Sequence, residues 1–409
     1  MNDAIAAGPL ADVRILDLAG EAGVFAGRQL ADLGADVIRI EPPVGDAVRW
    51  RQPFLDDKSG TERSLYHLHF NANKRGITLD LRRPRGVEVL KRLAVKADAL
   101  IETAAPGDMD AIGAGYEALR VVNTSLVYVS ITPFGQSGPL SRYKGSDITG
   151  AAASGLMFLN GDPEDPPNQP GTEQAYHMAS LTAGSALLIA LFGRDKSQGR
   201  AGHRIDVSVQ EAASMATLQT ANQNYYAWYR RIPARTGMRV FGGRHLYQCA
   251  DGEWISFVVM PYRWRELMRW FADEGIETVV QGDEWLDPAY RAQHPGAANP
   301  AIEALCAKHR RDEMFHQGQK RLISIMPVND VDDIVADQQL NQRGFFREFE
   351  HPESVKPLVD AGPVAAMSAT PLQIWRRAPL LGEHNAEVYG GLLGMREGEI
   401  AVLRSEGVI

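Results

Sequence analysis

Four places along the chain gather residue types that can do chemistry. The stretch Gly20-Glu21-Ala22-Gly23-Val24-Phe25-Ala26-Gly27 is rich in glycine, but its spacing is not the G-x-G-x-x-G order that cradles a dinucleotide pyrophosphate. It reads either as a tight strand-to-helix turn with close helix packing, or as a backbone lining for a ligand at the carboxyl end of a strand. In Asn71-Ala72-Asn73-Lys74-Arg75-Gly76, Lys74 and Arg75 stand in a loop before a strand. There both cations can reach a phosphate, although a solvated cationic pair is the competing reading. Lys144, between Tyr143 and Gly145, is a third candidate that by itself passes for a surface lysine. His67 and His69 are two apart, on one face if the segment is a strand. No carboxylate or further histidine follows at a ligand spacing, so the pair reads as structural and no metal site is expected. His177, His203, His245 and His384 are isolated, and a serine-hydrolase elbow of the form G-x-S-x-G is missing.

The elements that must position these residues alternate in type. Val13–Leu18 reads as a strand, the glycine turn leads into a helix through Leu30, and Gly34–Glu41 contains the next strand. About 20 residues between two strands suits a parallel pair with a helical crossover. The pattern recurs with strands at 77–81, 99–102 and 126–131 and an amphipathic helix at 85–97, which implies a doubly wound parallel sheet. The run 160–170, rich in Pro, Asn and Asp, reads as a surface loop. The small-residue segment 179–191 reads as a helix with apolar residues on every face, buried in the core. From about 225 to 335 tryptophans accumulate (Trp228, Trp254, Trp264, Trp270, Trp285), with a strand at 254–259 and helices at 264–273 and 300–309. The last 70 or so residues return to α/β texture, with a strand at 364–367 and helices at 384–393 and 397–406. The expected organisation is a large α/β domain built from residues 1–224 and 336–409, with a smaller α+β domain, 225–335, inserted.

Composition narrows the function classes. The 409 residues carry 43 Lys and Arg against 51 Asp and Glu, a net charge of −8. Such a chain has no field to gather polyanions, and a local basic patch is not evident, so nucleic acid is not an expected partner. Cys249 and Cys306 are the only cysteines, too few for a disulfide framework. No apolar run approaches the roughly 20 residues that cross a bilayer, and the first residues lack a basic, apolar leader. A cytoplasmic protein without a membrane partner is the expectation.

Several ordered blocks go further. Gly8-Pro9-Leu10-Ala11-Asp12-Val13-Arg14-Ile15-Leu16-Asp17-Leu18, Leu30-Ala31-Asp32-Leu33-Gly34-Ala35-Asp36-Val37-Ile38-Arg39-Ile40-Glu41-Pro42-Pro43 with Gly45-Asp46 and Arg49, Asn73 to Leu81, Gly115-Tyr116-Glu117-Ala118-Leu119, Phe134-Gly135-Gln136-Ser137-Gly138-Pro139 and Arg377 to His384 together resemble the family III (CaiB/BaiF-type, formyl-CoA transferase-like) CoA-transferases. The resemblance spans nearly the whole chain. It implies a Rossmann-like large domain, a smaller domain and an interlocked, ring-like dimer. It also implies chemistry without a prosthetic group or metal, in which CoA and acyl-CoA are substrates. An aspartate carboxylate attacks the thioester to give an acyl-aspartyl anhydride and CoA thiolate, and later steps pass CoA to an acceptor acid.

The family places that aspartate in a segment matching Ala179-Ser180-Leu181-Thr182-Ala183-Gly184, so Ser180 occupies the nucleophile position. A serine needs a base to act there. Lys74 and Lys144 match family lysines near CoA and the active site, and Arg75 goes with Lys74. Ala111 stands where formyl-CoA transferase has an arginine, Glu102-Thr103-Ala104 replaces Glu-Asn-Phe, and Glu21 puts a negative charge in the first turn. The family's closing glycine loop is reduced to Gly242-Gly243. With Ser146 and Ser180 at the positions of its acid and base, racemase chemistry is disfavoured. The resemblance therefore implies the aspartate-lacking subunit of a heteromeric CoA-transferase, paired with an aspartate-carrying paralogue, with succinyl-CoA as the implied donor. The alternatives are a self-sufficient transferase using Asp147, Glu173 or Glu21, and a non-catalytic acyl-CoA-binding relative.

Overall fold

Six strands form one parallel sheet: β1 (Arg14–Leu18), β2 (Asp36–Glu41), β3 (Arg75–Thr78), β4 (Ala99–Glu102), β5 (Val127–Thr132) and β6 (Arg204–Ser208). Their spatial order is β3-β2-β1-β4-β5-β6, the Rossmann-like order that reverses direction between β1 and β4. The computed structural model describes residues 8–409 other than 198, 218–225, 227–229, 231–234, 236–238, 241, 242 and 363. Helices cover both faces, so the central strands are apolar almost throughout, and Ile15, Leu16, Ile38, Leu100 and Val129 are fully buried.

Helix α1 (Val24–Asp32) follows the glycine turn, and α2 (Leu65–Phe70) precedes β3. Helix α3 (Pro84–Ala94) starts with Pro at its first position, where the missing N–H costs nothing, and buries Val87, Leu90 and Leu93 on one face. After β5 come α4 (Asp147–Ala153) and the 23-residue α5 (Gln174–Lys196), which packs on α1, α4, β5 and β6. The C-terminal residues close the core: Val388, Tyr389, Leu403 and Ile409 belong to the same apolar cluster as Leu16, Ile38 and Leu100. Tyr389 donates its hydroxyl to the Thr78 carbonyl at 2.6 Å.

The chain divides into two compact units: Met1–Leu156, Gln169–Arg231 and Gln339–Ile409 in one, Met157–Asn168 and Ile232–Gln338 in the other. The second contains an antiparallel sheet of β7 (Leu246–Gln248), β8 (Trp254–Val258) and β9 (Ser324–Pro327) around a core of Trp264, Leu267, Trp270, Phe271 and Trp285. The 160–170 loop falls largely in this unit. The expected boundary at 224/225, Trp228 and Gly242 lie outside the described residues.

Four local expectations change. Residues 364–367 form no strand, and Val364 is almost fully exposed. The pairing there is between β10 (Phe346–Phe349) and β11 (Leu358–Ala361). His67 and His69 lie on α2 and not on a strand. Strand β6 carries exposed Arg204 and Asp206, which hides it from a search for apolar runs. Helix α5 is not buried on every face: Leu181, Ile189 and Phe192 are exposed.

Candidate functional site

The carboxyl ends of β1 and β4 flank the point where strand order reverses, the usual ligand position in open α/β sheets. Here the glycine turn is fixed by a buried charge network. Asp17, on β1, is opposite Arg39 of β2 in the ladder, and both are buried, as is Lys74. Lys74 Nζ donates to Asp17 Oδ2 at 2.7 Å, to the Val24 carbonyl at 2.9 Å and to Asn71 Oδ1 at 3.0 Å. Asp17 Oδ1 accepts from the Ala19 N–H at 2.9 Å and from Arg39 at 3.3 Å, and Arg39 also donates to the Ala19 carbonyl. Burial, partly offset by Asp17, pulls the Lys74 ammonium down to about 8.

Lys74 therefore has all three N–H donors on partners within the chain, and Arg75 has three of its five so placed. Its guanidinium is bidentate on Asp36, at 2.8 and 2.6 Å, and reaches Glu387 at 2.7 Å. In this arrangement both cations hold the fold together through partners within the chain. Lys144 is the reverse: it is exposed just before α4, with no hydrogen bond or ion pair among the described residues. Thr103, which stands where the family has asparagine, accepts the Gly20 N–H on its hydroxyl at 2.7 Å.

Ser180 lies on the buried face of α5, 1% exposed. Its hydroxyl donates to the Ala22 carbonyl of the glycine turn at 3.2 Å. Among the described residues no histidine or carboxylate hydrogen-bonds to it, so nothing withdraws its proton. Of the carboxylates that could replace the missing aspartate, Asp147 is buried and accepts the Tyr176 N–H at 2.9 Å. Glu173, at the start of α5, is ion-paired with Arg51. Glu21 also faces Arg51, at 3.1 Å, and its side chain is 39% exposed.

Arg51 belongs to no sequence motif, yet it gathers Glu173 and Glu21. Its guanidinium lies over the Tyr66 ring, 4.2 Å from the centroid, and its carbonyl accepts the buried Ser64 hydroxyl at 2.6 Å. Its Nη1 is buried and makes no hydrogen bond, so the contact with Glu21 is Coulombic and misaligned. Only a contact map reveals it, because its partners are 30 and 122 positions away along the chain. Asp17 and Arg39 did leave a signal: each is a charge set between two apolar neighbours within a strand, which requires a buried partner.

Beside the turn, a cavity of about 440 Å³ runs along the carboxyl ends of β1 to β4. Its lining is mixed: Leu18, Ile40, Leu79 and Met109 are apolar, while Glu41, Asp46, Asp80, Arg82 and Glu102 bring charge to it. Burial raises the Glu102 pKa above the ordinary carboxylate range. The described residues contain no group of three or more His, Cys, Asp or Glu that could hold a metal ion.

Residues 10–385 match the family model for CoA-transferase family III. The chain belongs to CoA-transferase family III. It is 35% identical over 384 residues to subunit BbsE of the succinyl-CoA:(R)-benzylsuccinate CoA-transferase of Thauera aromatica, with 92% of each chain covered. It is 32% identical over 396 residues to the succinate–glutarate CoA-transferase of Agrobacterium fabrum, covering 94% of this chain and 96% of that one. A crystal structure of a CaiB/BaiF family protein from Brucella suis superposes with a TM-score of 0.81 at 28% identity, covering 94% of this chain and 99% of that one. As a family III member the chain is a transferase, and CoA thioesters are the substrates of the family.

Proposed function

We propose that this chain is the subunit without a nucleophile in a heteromeric CoA-transferase. The enzyme moves CoA from a dicarboxylic acyl-CoA, succinyl-CoA, to a second dicarboxylic acid. A paralogous chain supplies the aspartate within an interlocked, ring-like assembly, and no prosthetic group takes part. The observation that carries the reading is Ser180: it is buried, hydrogen-bonded to Ala22 and, among the described residues, unaccompanied by a base, in the segment that by resemblance matches the family's nucleophile. A hydroxyl so placed cannot do the work of a carboxylate near neutral pH. The likeness to subunit BbsE and to a succinate–glutarate enzyme supports both the heteromer and the dicarboxylic substrate class. Lys144, exposed and unpaired among the described residues, is the proposed contact for the phosphates of CoA, and the cavity beside the turn is the proposed seat of its apolar part.

The test is transfer of CoA from succinyl-CoA to other dicarboxylates by the chain alone, by the chain with its aspartate-containing paralogue, and by Ser180→Asp alone. Activity confined to the mixture and to Ser180→Asp is expected. Turnover by the lone wild-type chain that Glu21→Gln abolishes would overturn the reading, since Glu21 is the one of the three alternative carboxylates that is substantially exposed.

A further inference from the structure

Arg51 sits among three groups that hold a guanidinium flat without filling it. The Tyr66 ring lies beneath it at 4.2 Å, a cation–π contact that fixes the plane. Glu173, on one side, is 15% exposed and precedes the first turn of α5, where the helix dipole favours a carboxylate. Glu21, on the other, is 39% exposed, and Arg51 Nη1 is left without a hydrogen bond despite standing 3.1 Å from it. A guanidinium N–H held 3.1 Å from a carboxylate without hydrogen-bond alignment can still take a better-aligned acceptor. Glu21 stands three residues past the end of β1, and the next residue, Ala22, receives the Ser180 hydroxyl. Arg51 and the Ser180 hydroxyl therefore meet adjacent residues of one turn, Glu21 and Ala22.

We propose that Arg51 selects dicarboxylic thioesters by binding the free distal carboxylate of the acyl group in exchange for Glu21. The inference rests on the CoA-transferase reading and deepens it by naming what recognises the second carboxylate. Two carboxylates flank the guanidinium before and after the exchange, so the local charge balance is kept. The outgoing Glu21 is half in water, and breaking such a pair costs little. The incoming carboxylate can align with Nη1 as Glu21 does not. A monocarboxylic acyl chain leaves the Arg51–Glu21 pair in place and gains nothing from it.

The probes are the dethia analogues of succinyl-CoA and butyryl-CoA, in which a methylene replaces the thioester sulfur and prevents turnover. Calorimetry on the wild-type chain is expected to show the succinyl analogue binding about 10- to 100-fold tighter, the value of one charge-assisted pair. Arg51→Gln brings the ratio to about one, with the butyryl affinity unchanged and the far-UV spectrum intact. Glu21→Gln removes the competing carboxylate and tightens the succinyl analogue alone, so it decides the matter even if Arg51→Gln does not fold. Equal binding of both analogues by the wild type, a ratio that survives in folded Arg51→Gln, or weaker succinyl binding by Glu21→Gln overturns the inference and leaves the CoA-transferase reading standing. Failure of the wild type to bind either analogue overturns both.

Discussion

Asp17 and Lys74 dictate what their neighbours can be. A carboxylate with no exposed surface must spend its lone pairs on donors, and Asp17 does so on Lys74, Arg39 and the Ala19 N–H. The pair presses against α1, where a Cβ at position 27 would lie 2.5 Å from Asp17 Oδ2 and 3.0 Å from Lys74 Nζ. Gly27→Ala is therefore expected to lower stability by about 1–3 kcal/mol, as overpacking does, read as a fall in the urea midpoint. Lys74→Met leaves a buried carboxylate short of a partner and should cost about 3–5 kcal/mol. Its CoA-thioester affinity, measured on folded protein, should stay near the wild-type value, whereas a lysine that contacted phosphate would lose affinity at unchanged stability. The charges Asp17 and Arg39 between apolar neighbours in β1 and β2 are visible in the sequence, but not the use of Lys74: its partner is 57 residues away, and no local pattern separates a buried cation from a solvated one.

Helix α2 shows what a short element conceals. Leu65-Tyr66-His67-Leu68-His69-Phe70 alternates like a half-buried strand, yet Ser64 caps it by accepting the His67 N–H at 3.2 Å, and it folds as six helical residues. His67 then ties α2 to the C-terminal segment: its Nε2 is 3.1 Å from the Pro379 carbonyl, and its Nδ1 is 3.0 Å from Asn71 Nδ2. One donor and one acceptor are what the neutral ring offers. Burial drives the His67 pKa down to about 3. Because the folded value lies below the unfolded value near 6.5, the unfolded chain binds the proton first. This contribution to stability is whole above about pH 6.5 and is lost as pH falls toward about 3, by up to about 1.4 kcal/mol per pH unit. His67→Gln, which keeps a donor and an acceptor but does not titrate, should flatten the urea midpoint between about pH 4 and pH 7 relative to wild type. Strands β1, β2, β4 and β5 were legible because their apolar runs alternate with helical segments, and the helix at 264–273 because ten residues carry its period; all lie where the apolar pattern puts them. The apolar run 364–367 misled because, unlike β4, it is not packed into a sheet: Val364 is almost fully exposed.

At the scale of the whole molecule, α5 asks for a cover. By length and composition alone it is apolar enough to cross a membrane, but Ala175, Ala179, Ala183, Leu187 and Leu191 face the core. The opposite face carries Leu181, Ile189 and Phe192, the last two 71% and 68% exposed. Residues at this spacing form one stripe along the helix, on the same helix as Ser180. In the proposed heteromer the aspartate-carrying paralogue is what would cover that stripe, so assembly and chemistry are joined through one element. Replacing both Ile189 and Phe192 with Glu should leave the far-UV spectrum and melting temperature of the isolated chain nearly unchanged, because neither side chain is in the core. Burying two such side chains is worth about 3–6 kcal/mol, so the double variant should bind the paralogue at least about 100-fold more weakly by sedimentation. Transferase activity of the mixture should fall in step and return at high paralogue concentration. An unaltered complex would remove α5 from the interface, and activity lost while the complex persists would place the stripe on the substrate path.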